Sequence, residues 1–104
     1  MVETPYTLAM YRVKPGQEET FVTAWDDLAR TFTKLPQPPL WGTLIRSTSE
    51  PELFYSFGPW RSASDVQKMR DHPDAGAAFA RIAAACELTP GNYEMVRQDV
   101  GSEG

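Results

Sequence analysis

An α+β fold with the element order β-α-β-β-α-β is predicted by three features of this 104-residue sequence. Short segments rich in aromatic and apolar residues alternate with longer segments whose apolar residues recur every three or four positions. Proline and glycine clusters separate these segments. The third feature is size, because a chain of this length forms one domain whose core needs no metal or disulfide.

The first strand, the first helix and a stiff loop lie in the N-terminal part. Residues 6–13 (YTLAMYRV) contain no Gly or Pro and predict a strand, which Pro15-Gly16 ends. A helix is predicted over about residues 16–33, and the proline cluster at 35–39 predicts an extended loop after it. The spacing of four, three and four places on one helical face Phe21, Trp25, Leu28 and Phe32.

A hairpin and a broken helix follow. Residues 40–48 and 53–57 predict antiparallel strands, joined by the turn-like segment 49–51. Ser62 or Ser64 can cap the next helix, and Ser64 forms a capping-box pattern with the glutamine three residues later. The helix breaks at His72-Pro73, because a residue before proline disfavours the helical region.

The C-terminal segment predicts a second helical piece and a short last strand. Asp74 can cap this piece, in which Cys86 shares an apolar face with Phe79 and Ile82 and is expected to be a buried, inert thiol. Residues 89–91 predict a turn, and residues 93–98 predict the strand. The resulting order is that of a ferredoxin-like fold, with helices on one face of a four-stranded antiparallel sheet and the first and third strands at its centre. We expect a single domain over residues 1–100 and a flexible tail over 101–104.

Both faces of the predicted sheet are rich in apolar residues. In the first strand Tyr6, Leu8 and Met10 point to one side, while Tyr11 and Val13 point to the other. Two helices cover only one face, so the second face would expose a broad apolar patch. This pattern favours a homodimer with sheets facing each other over a monomer with a half-polar outer face.

Composition and charge exclude several classes of function. The net charge of −4 and the absence of a basic run argue against nucleic acid as a partner. The N-terminus lacks a signal-peptide pattern and no apolar run is long enough for a membrane span, which predicts a cytoplasmic protein. One cysteine and one histidine allow no intrachain disulfide and no multi-thiolate or two-histidine metal site. No glycine-rich nucleotide loop is present.

Two motifs make the chain resemble the antibiotic biosynthesis monooxygenase-like family of dimeric α+β barrels. One is the first strand with Val13-Lys14-Pro15-Gly16 and the acidic, aromatic helix after it. The other is the segment 54–62 (FYSFGPWRS), where a strand ends in Trp60 and leads into a helix. The resemblance extends from residue 6 to about residue 98. It implies a homodimer, a small aromatic or hydrophobic ligand and a monooxygenase activity.

The resemblance also implies candidate catalytic residues. Oxygenating relatives need no metal or flavin, since the anion of their phenolic substrate reacts directly with oxygen, so no cofactor is expected. Trp60 matches the family's tryptophan, which either stacks on a planar substrate or plugs the end of the barrel. Where such relatives can carry an asparagine, this chain has Ser56. Arg81 could pair with an anionic intermediate or could be a surface residue.

The haem-degrading branch of the family provides a second comparison. Its iron-ligating histidine corresponds approximately to Met69 and Arg70, and its strand-one asparagine has no counterpart here. The single histidine, His72, stands slightly later beside a proline and is read as a loop residue, with haem binding as the alternative.

The remaining large side chains are candidates for lining a cavity or for ordinary core packing. The candidates for substrate binding are Tyr11, Tyr55, Met10 and Trp25. The leading hypothesis is a cofactor-independent monooxygenase that acts on a small phenolic, quinol or polyketide-like substrate. The alternative is a non-catalytic, stress-associated or sequestering barrel that binds a small hydrophobic ligand.

Overall fold

A computed structural model describes residues 4–99 and residue 101, and it confirms the predicted ferredoxin-like α+β fold. The second helix is divided in two at the predicted break, so the order is β-α-β-β-α-α-β. The predicted tail falls mostly outside the described residues. The elements are β1 (Pro5–Val13), α1 (Glu18–Phe32), β2 (Thr43–Arg46), β3 (Leu53–Pro59), α2 (Ala63–Asp71), α3 (Pro73–Ala85) and β4 (Cys86–Glu94). No helix among the described residues is long and apolar enough to cross a membrane.

The sheet is antiparallel, with the strand order β2-β3-β1-β4. The first and third strands are therefore central, as predicted. In the register, Tyr11 lies opposite both Phe54 of β3 and Leu88 of β4, and Ala9 lies opposite Ser56. Because side chains alternate along a strand, all of these residues point to the same face of the sheet.

The core lies between this face and the helices. Helix α1 buries Phe21, Ala24 and Leu28, whose spacing follows the predicted helical face. The ring of Phe21 contacts those of Tyr11 and Phe54, each with centroids 4.9 Å apart. These contacts join α1 to the two central strands and set the position of the site described below.

The caps of α2 and α3 differ in part from the sequence prediction. Ser62 is the N-cap of α2, and its hydroxyl accepts a hydrogen bond from the backbone N–H of Asp65 at 3.2 Å. The predicted capping box on Ser64 is wrong, because the helix begins at Ala63 and Ser64 is already its second residue. Helix α3 is capped by His72, whose Nδ1 accepts from the backbone N–H of Asp74, so the predicted cap at Asp74 is also wrong. Proline at the first helical position makes the residue before it the natural cap.

The last strand begins earlier than predicted. Strand β4 starts at Cys86, which ends α3 rather than lying within it, and continues through the predicted turn at 89–91. The predicted strand at 93–98 is therefore wrong in its bounds. A proline is tolerated here because β4 is an edge strand with one neighbour. Burial of the Cys86 thiol is confirmed, with its side chain donating to the carbonyl of Ile82 at 3.2 Å.

Candidate functional site

A cavity of about 550 Å³ lies between the sheet and the helices. Its floor is formed by β1, β3 and β4, and its walls by α1, by parts of α2 and α3, and by the loop segment 38–42. Most of the lining is aliphatic, aromatic or proline. The polar lining side chains are few, which makes each of them informative: Thr7, Tyr11, Thr33, Ser56 and Arg70, with the indole N–H groups of Trp25 and Trp60.

Two hydroxyl groups meet on the cavity floor. Tyr11 of β1 and Ser56 of β3 lie on the helix-covered face of neighbouring strands, and their hydroxyl oxygens are 2.6 Å apart. Tyr11 is 1% exposed, whereas Ser56 is half-buried. Burial raises the pKa of Tyr11, and hydrogen bonds with Ser56 and Trp25 oppose that shift only in part. Tyr11 therefore remains a neutral proton donor, with Ser56 as the more accessible of the two.

The raised pKa of Tyr11 predicts a pH-dependent stability. The folded protein keeps a proton that the unfolded chain releases near pH 10, so the free energy of unfolding falls as the pH rises above about 10. We expect Tyr11→Phe to show a smaller fall in this range. At neutral pH, where the tyrosine is protonated in both states, the variant loses about 1 kcal/mol for the missing hydrogen bond.

Urea unfolding at several pH values on both sides of 10 measures this effect. Tyr93→Phe is the matched control, because Tyr93 is 55% exposed and does not line the cavity. Cys86, whose pKa burial also raises, titrates in all the proteins compared and cancels. Equal pH slopes for Tyr11→Phe and wild type would contradict the assignment.

Trp60 closes one side of the cavity with its indole ring. The side chain is 1% exposed, and its Nε1–H donates to the Thr7 hydroxyl at 3.0 Å. Its backbone N–H donates to the carbonyl of Pro5 at 2.8 Å, and its ring packs edge-on against Phe32 at 5.4 Å. The indole N–H is thus already used within the protein. What Trp60 offers the cavity is an apolar surface, not a hydrogen bond.

The loop segment 38–42 forms a wall that the sequence did not predict as part of the site. It is held against the end of β3, where Leu40 N–H donates to the carbonyl of Pro59 at 2.9 Å. Gly58 makes this approach possible, since a Cβ atom there would collide with the carbonyl oxygen of Trp41 and lie 3.2 Å from the Cα of Gly42. The proline content of this loop gives the cavity wall a stiff backbone.

Arg70 is the one charged side chain among the described residues that line the cavity. It lies near the end of α2, is exposed, and its Nη2 donates to Asn92 Oδ1 of β4 at 2.5 Å. From the sequence, Arg70 stands out only for its place near the haem ligand of relatives. Its contact with β4 could not be foreseen, because the predicted last strand had the wrong bounds.

The structure brings together four of the seven residues predicted for the site. Trp60, Ser56, Tyr11 and Trp25 all line the cavity. The other three lie elsewhere: Met10 and Tyr55 are opposite each other on the helix-free face of the sheet, and Arg81 is an exposed residue of α3 outside the cavity lining. The functional roles of these residues remain predictions.

The described residues that line the cavity include no histidine to ligate haem iron, the ligand that the haem-degrading relatives use. His72 caps α3 and does not line the cavity, and Arg70 is a cation that cannot ligate iron. Within residues 4–99 and 101, no group of three or more His, Cys, Asp or Glu side chains could hold a metal ion.

The fold, with a largely apolar cavity between sheet and helices, defines a small α+β domain with room for a small ligand. The model of the antibiotic biosynthesis monooxygenase family matches residues 6–81, and the chain belongs to this family. The resemblance predicted from the sequence is thereby confirmed. No curated protein matches the sequence.

Solved structures share the fold. SnoaB, a cofactor-independent oxygenase from Streptomyces nogalater, is 15% identical with a TM-score of 0.85, over 97% of this chain and 100% of that chain. A protein from Caulobacter crescentus CB15, assigned as an antibiotic biosynthesis monooxygenase, is 18% identical with a TM-score of 0.80, over 91% and 92%. A conserved protein of unknown function from Bacteroides thetaiotaomicron is 14% identical with a TM-score of 0.80, over 89% and 98%. At these identities the similarity shows the fold alone.

Proposed function

We propose that this protein is a cofactor-independent monooxygenase that oxidises a small phenolic, quinol or polyketide-like aromatic substrate with molecular oxygen. The observation that carries the proposal is the apolar cavity with a hydrogen-bonded hydroxyl pair, Tyr11 and Ser56, on its floor. Membership of the family and structural similarity to SnoaB, a cofactor-independent oxygenase, support it. Trp25 and Trp60 supply aromatic walls for a planar ring.

The hydroxyl pair stabilises the substrate anion. In the proposed complex Tyr11 donates to Ser56, and the Ser56 hydroxyl donates to the phenolic oxygen of the substrate. A hydrogen bond to a charged acceptor in a largely apolar cavity is stronger than one to a neutral acceptor, so it favours the deprotonated substrate. The raised pKa of Tyr11 keeps the chain of donors protonated. Arg81 lies outside the cavity, so no step is assigned to it.

The oxidation balances without an external reductant. For an anthrone, the activated CH₂ carbon loses a proton, and the resulting carbanion transfers one electron to O₂. The two radicals combine to form a C–O bond, and protonation gives a hydroperoxide. Loss of water from the hydroperoxide leaves a carbonyl, so one oxygen atom enters the product and the other leaves as water. The protein contributes orientation, anion stabilisation and an apolar environment.

A non-catalytic ligand-binding domain is the second candidate. No Asp, Glu or His is among the described residues that line the cavity, so the protein offers no strong general base there. The substrate proton must then pass to water, which restricts the reaction to substrates that ionise readily. A domain that only sequesters an aromatic ligand needs no such proton transfer.

Oxygen uptake in the presence of a chelator tests the proposal, using a panel of anthrones and hydroquinones. We expect one O₂ consumed per product, incorporation of one labelled oxygen atom from ¹⁸O₂ into an anthrone product, and a rate at least about tenfold lower in Ser56→Ala. Ser64→Ala is the control, because Ser64 is an exposed serine outside the cavity. Tight ligand binding with no uptake above the protein-free rate would favour the second candidate.

We also propose that the protein is a homodimer that pairs its helix-free sheet faces. Apolar side chains on this face include Met10 and Tyr55, which are only half-buried, and Ile45, which is 47% exposed. Sedimentation equilibrium should give twice the chain mass of 11.7 kDa. Ile45→Glu should weaken this association, whereas Val22→Glu, at a 37% exposed position of α1, should not. A monomeric wild type would overturn this proposal.

A further inference from the structure

We propose that the ligand of this cavity is an aromatic acid, whose carboxylate binds Arg70 while its ring system lies against the apolar walls. This inference rests on the proposed aromatic ligand of the same cavity and adds a specific charge to it. Among the described residues that line the cavity, Arg70 is the only one with a charged side chain.

Arg70 is free to bind an anion. The salt bridges within residues 4–99 and 101 do not include it, and its one side-chain hydrogen bond is to the neutral amide of Asn92. A guanidinium group carries five N–H donors, so most of its hydrogen-bonding capacity remains available. Asn92 holds one edge of the group, which leaves the planar fork that fits a carboxylate with two parallel hydrogen bonds.

The neighbouring acidic side chain of α2 does not neutralise Arg70. Asp71 accepts a hydrogen bond from Gln67 at 3.1 Å and is exposed, and it is not among the residues that line the cavity. With a net charge of −4, the protein as a whole repels anions. Because Arg70 is positively charged, an acidic ligand is attracted more strongly to the edge of the cavity than to the rest of the surface.

The sheet register sets the distance between the two polar ends of the site. Asn92 lies opposite Thr7 on one side of β1, and Ser56 lies opposite Ala9 on the other side. Standard strand spacing and rise place the Cα atoms of Asn92 and Ser56 about 12 Å apart. A ligand that reaches both Ser56 and Arg70 must therefore be extended, such as two or three fused rings with a phenolic oxygen near one end and a carboxylate near the other.

Binding of a matched pair of probes tests the inference without requiring turnover. The probes are an anthraquinone carboxylic acid and its carboxamide, which have the same ring system and differ in charge. Quenching of the fluorescence of Trp25, Trp41 and Trp60, all of which line the cavity, reports the dissociation constants of the probes. We expect the wild type to bind the acid about tenfold more tightly than the amide, since Arg70 is exposed and its ion pair partly screened.

Three variants locate the source of this preference. Arg70→Gln should reduce the acid-to-amide ratio to about twofold or less, because loss of the charge weakens binding of the acid far more than binding of the amide. Lys68→Gln is the matched control, because it removes the same charge from an exposed position of α2 outside the cavity, and it should retain the ratio. Asn92→Ala should lower the ratio by about threefold, since the charge remains but is no longer held.

The outcomes distinguish failure of the role of Arg70 from failure of the proposed aromatic ligand. Equal binding of both probes by the wild type, or a preference that survives Arg70→Gln, would overturn the role of Arg70 and leave the aromatic ligand intact. Failure of both probes to bind would overturn the aromatic ligand and the role of Arg70 together. Unfolding curves for Arg70→Gln should match wild type, because the side chain is exposed and replaced by a helix-compatible residue.

Discussion

Trp60→Ala is expected to lower the free energy of unfolding by about 3–5 kcal/mol, which is a large part of the stability of a domain of this size. The side chain is 1% exposed and its indole N–H is bonded to Thr7, so truncation leaves both a void and an unpaired hydroxyl. Urea unfolding measures the loss. A decrease of less than about 1.5 kcal/mol would show that the surrounding residues refill the space and that Trp60 is not a structural anchor.

Trp60→Phe separates packing from the proposed role in substrate orientation. Phenylalanine keeps an aromatic ring against Phe32 but loses the hydrogen bond to Thr7, so we expect a smaller loss of about 1–2 kcal/mol. Because the wild-type N–H is already used by Thr7, turnover should depend on ring area and not on hydrogen bonding to substrate. Full oxygenase activity in Trp60→Phe would limit Trp60 to a structural role, as the barrel-plug interpretation predicts.

The order of elements could be predicted because each depends on short-range chemistry. The spacing of Phe21, Leu28 and the other apolar residues of this segment indicates one face of a helix, and prolines mark the breaks around it. The break at His72-Pro73 follows from the steric restriction that proline places on the preceding residue. These local rules placed β1 and β3 correctly, and β1 and β3 carry the hydroxyl pair.

The sequence does not predict which face of the sheet the helices cover, because both faces are rich in apolar residues. In β1, Met10 and Tyr11 are adjacent large residues, and alternation states only that they point to opposite sides. Which side the helices cover depends on long-range packing, here the contacts of Phe21 with Tyr11 and Phe54. The sequence therefore predicts Tyr55 and Met10 as site residues together with Tyr11, whereas the structure places them on the other face of the sheet.

Contacts between distant segments account for the parts of the site that were not predicted. Arg70 meets Asn92 only because β4 continues through Pro90, where the edge of the sheet tolerates a missing N–H. Residues 89–91 have strong turn propensity, so the local sequence predicts a turn there. In the structure these residues pair with β1 and form part of β4. Prediction of the contact between Arg70 and Asn92 requires the pairing of β4 with β1, which local sequence rules do not provide.

Gly58→Ala is expected to displace the loop segment 38–42 and to weaken binding of an anthraquinone carboxylic acid at least about tenfold. The added Cβ would collide with the backbone carbonyl of Trp41, which cannot move aside as a flexible side chain would. The loop must shift, and the hydrogen bond from Leu40 N–H to the carbonyl of Pro59 must lengthen or break. We expect a loss of about 1–3 kcal/mol in stability as well.

Gly42→Ala is the matched control for this displacement. It adds the same methyl group within the same loop wall, but its Cβ would meet no atom within 4 Å. Comparison of the two variants by probe binding and urea unfolding therefore isolates close approach from the general effect of replacing glycine. Binding that stays within about twofold of wild type in Gly58→Ala would mean that the loop can retreat without opening the cavity. Gly58 has no side chain with which to bind a ligand, and a Cβ atom added there meets the backbone of the loop. Weaker binding in Gly58→Ala, with binding retained in Gly42→Ala, would therefore establish the position of the loop as a determinant of ligand affinity.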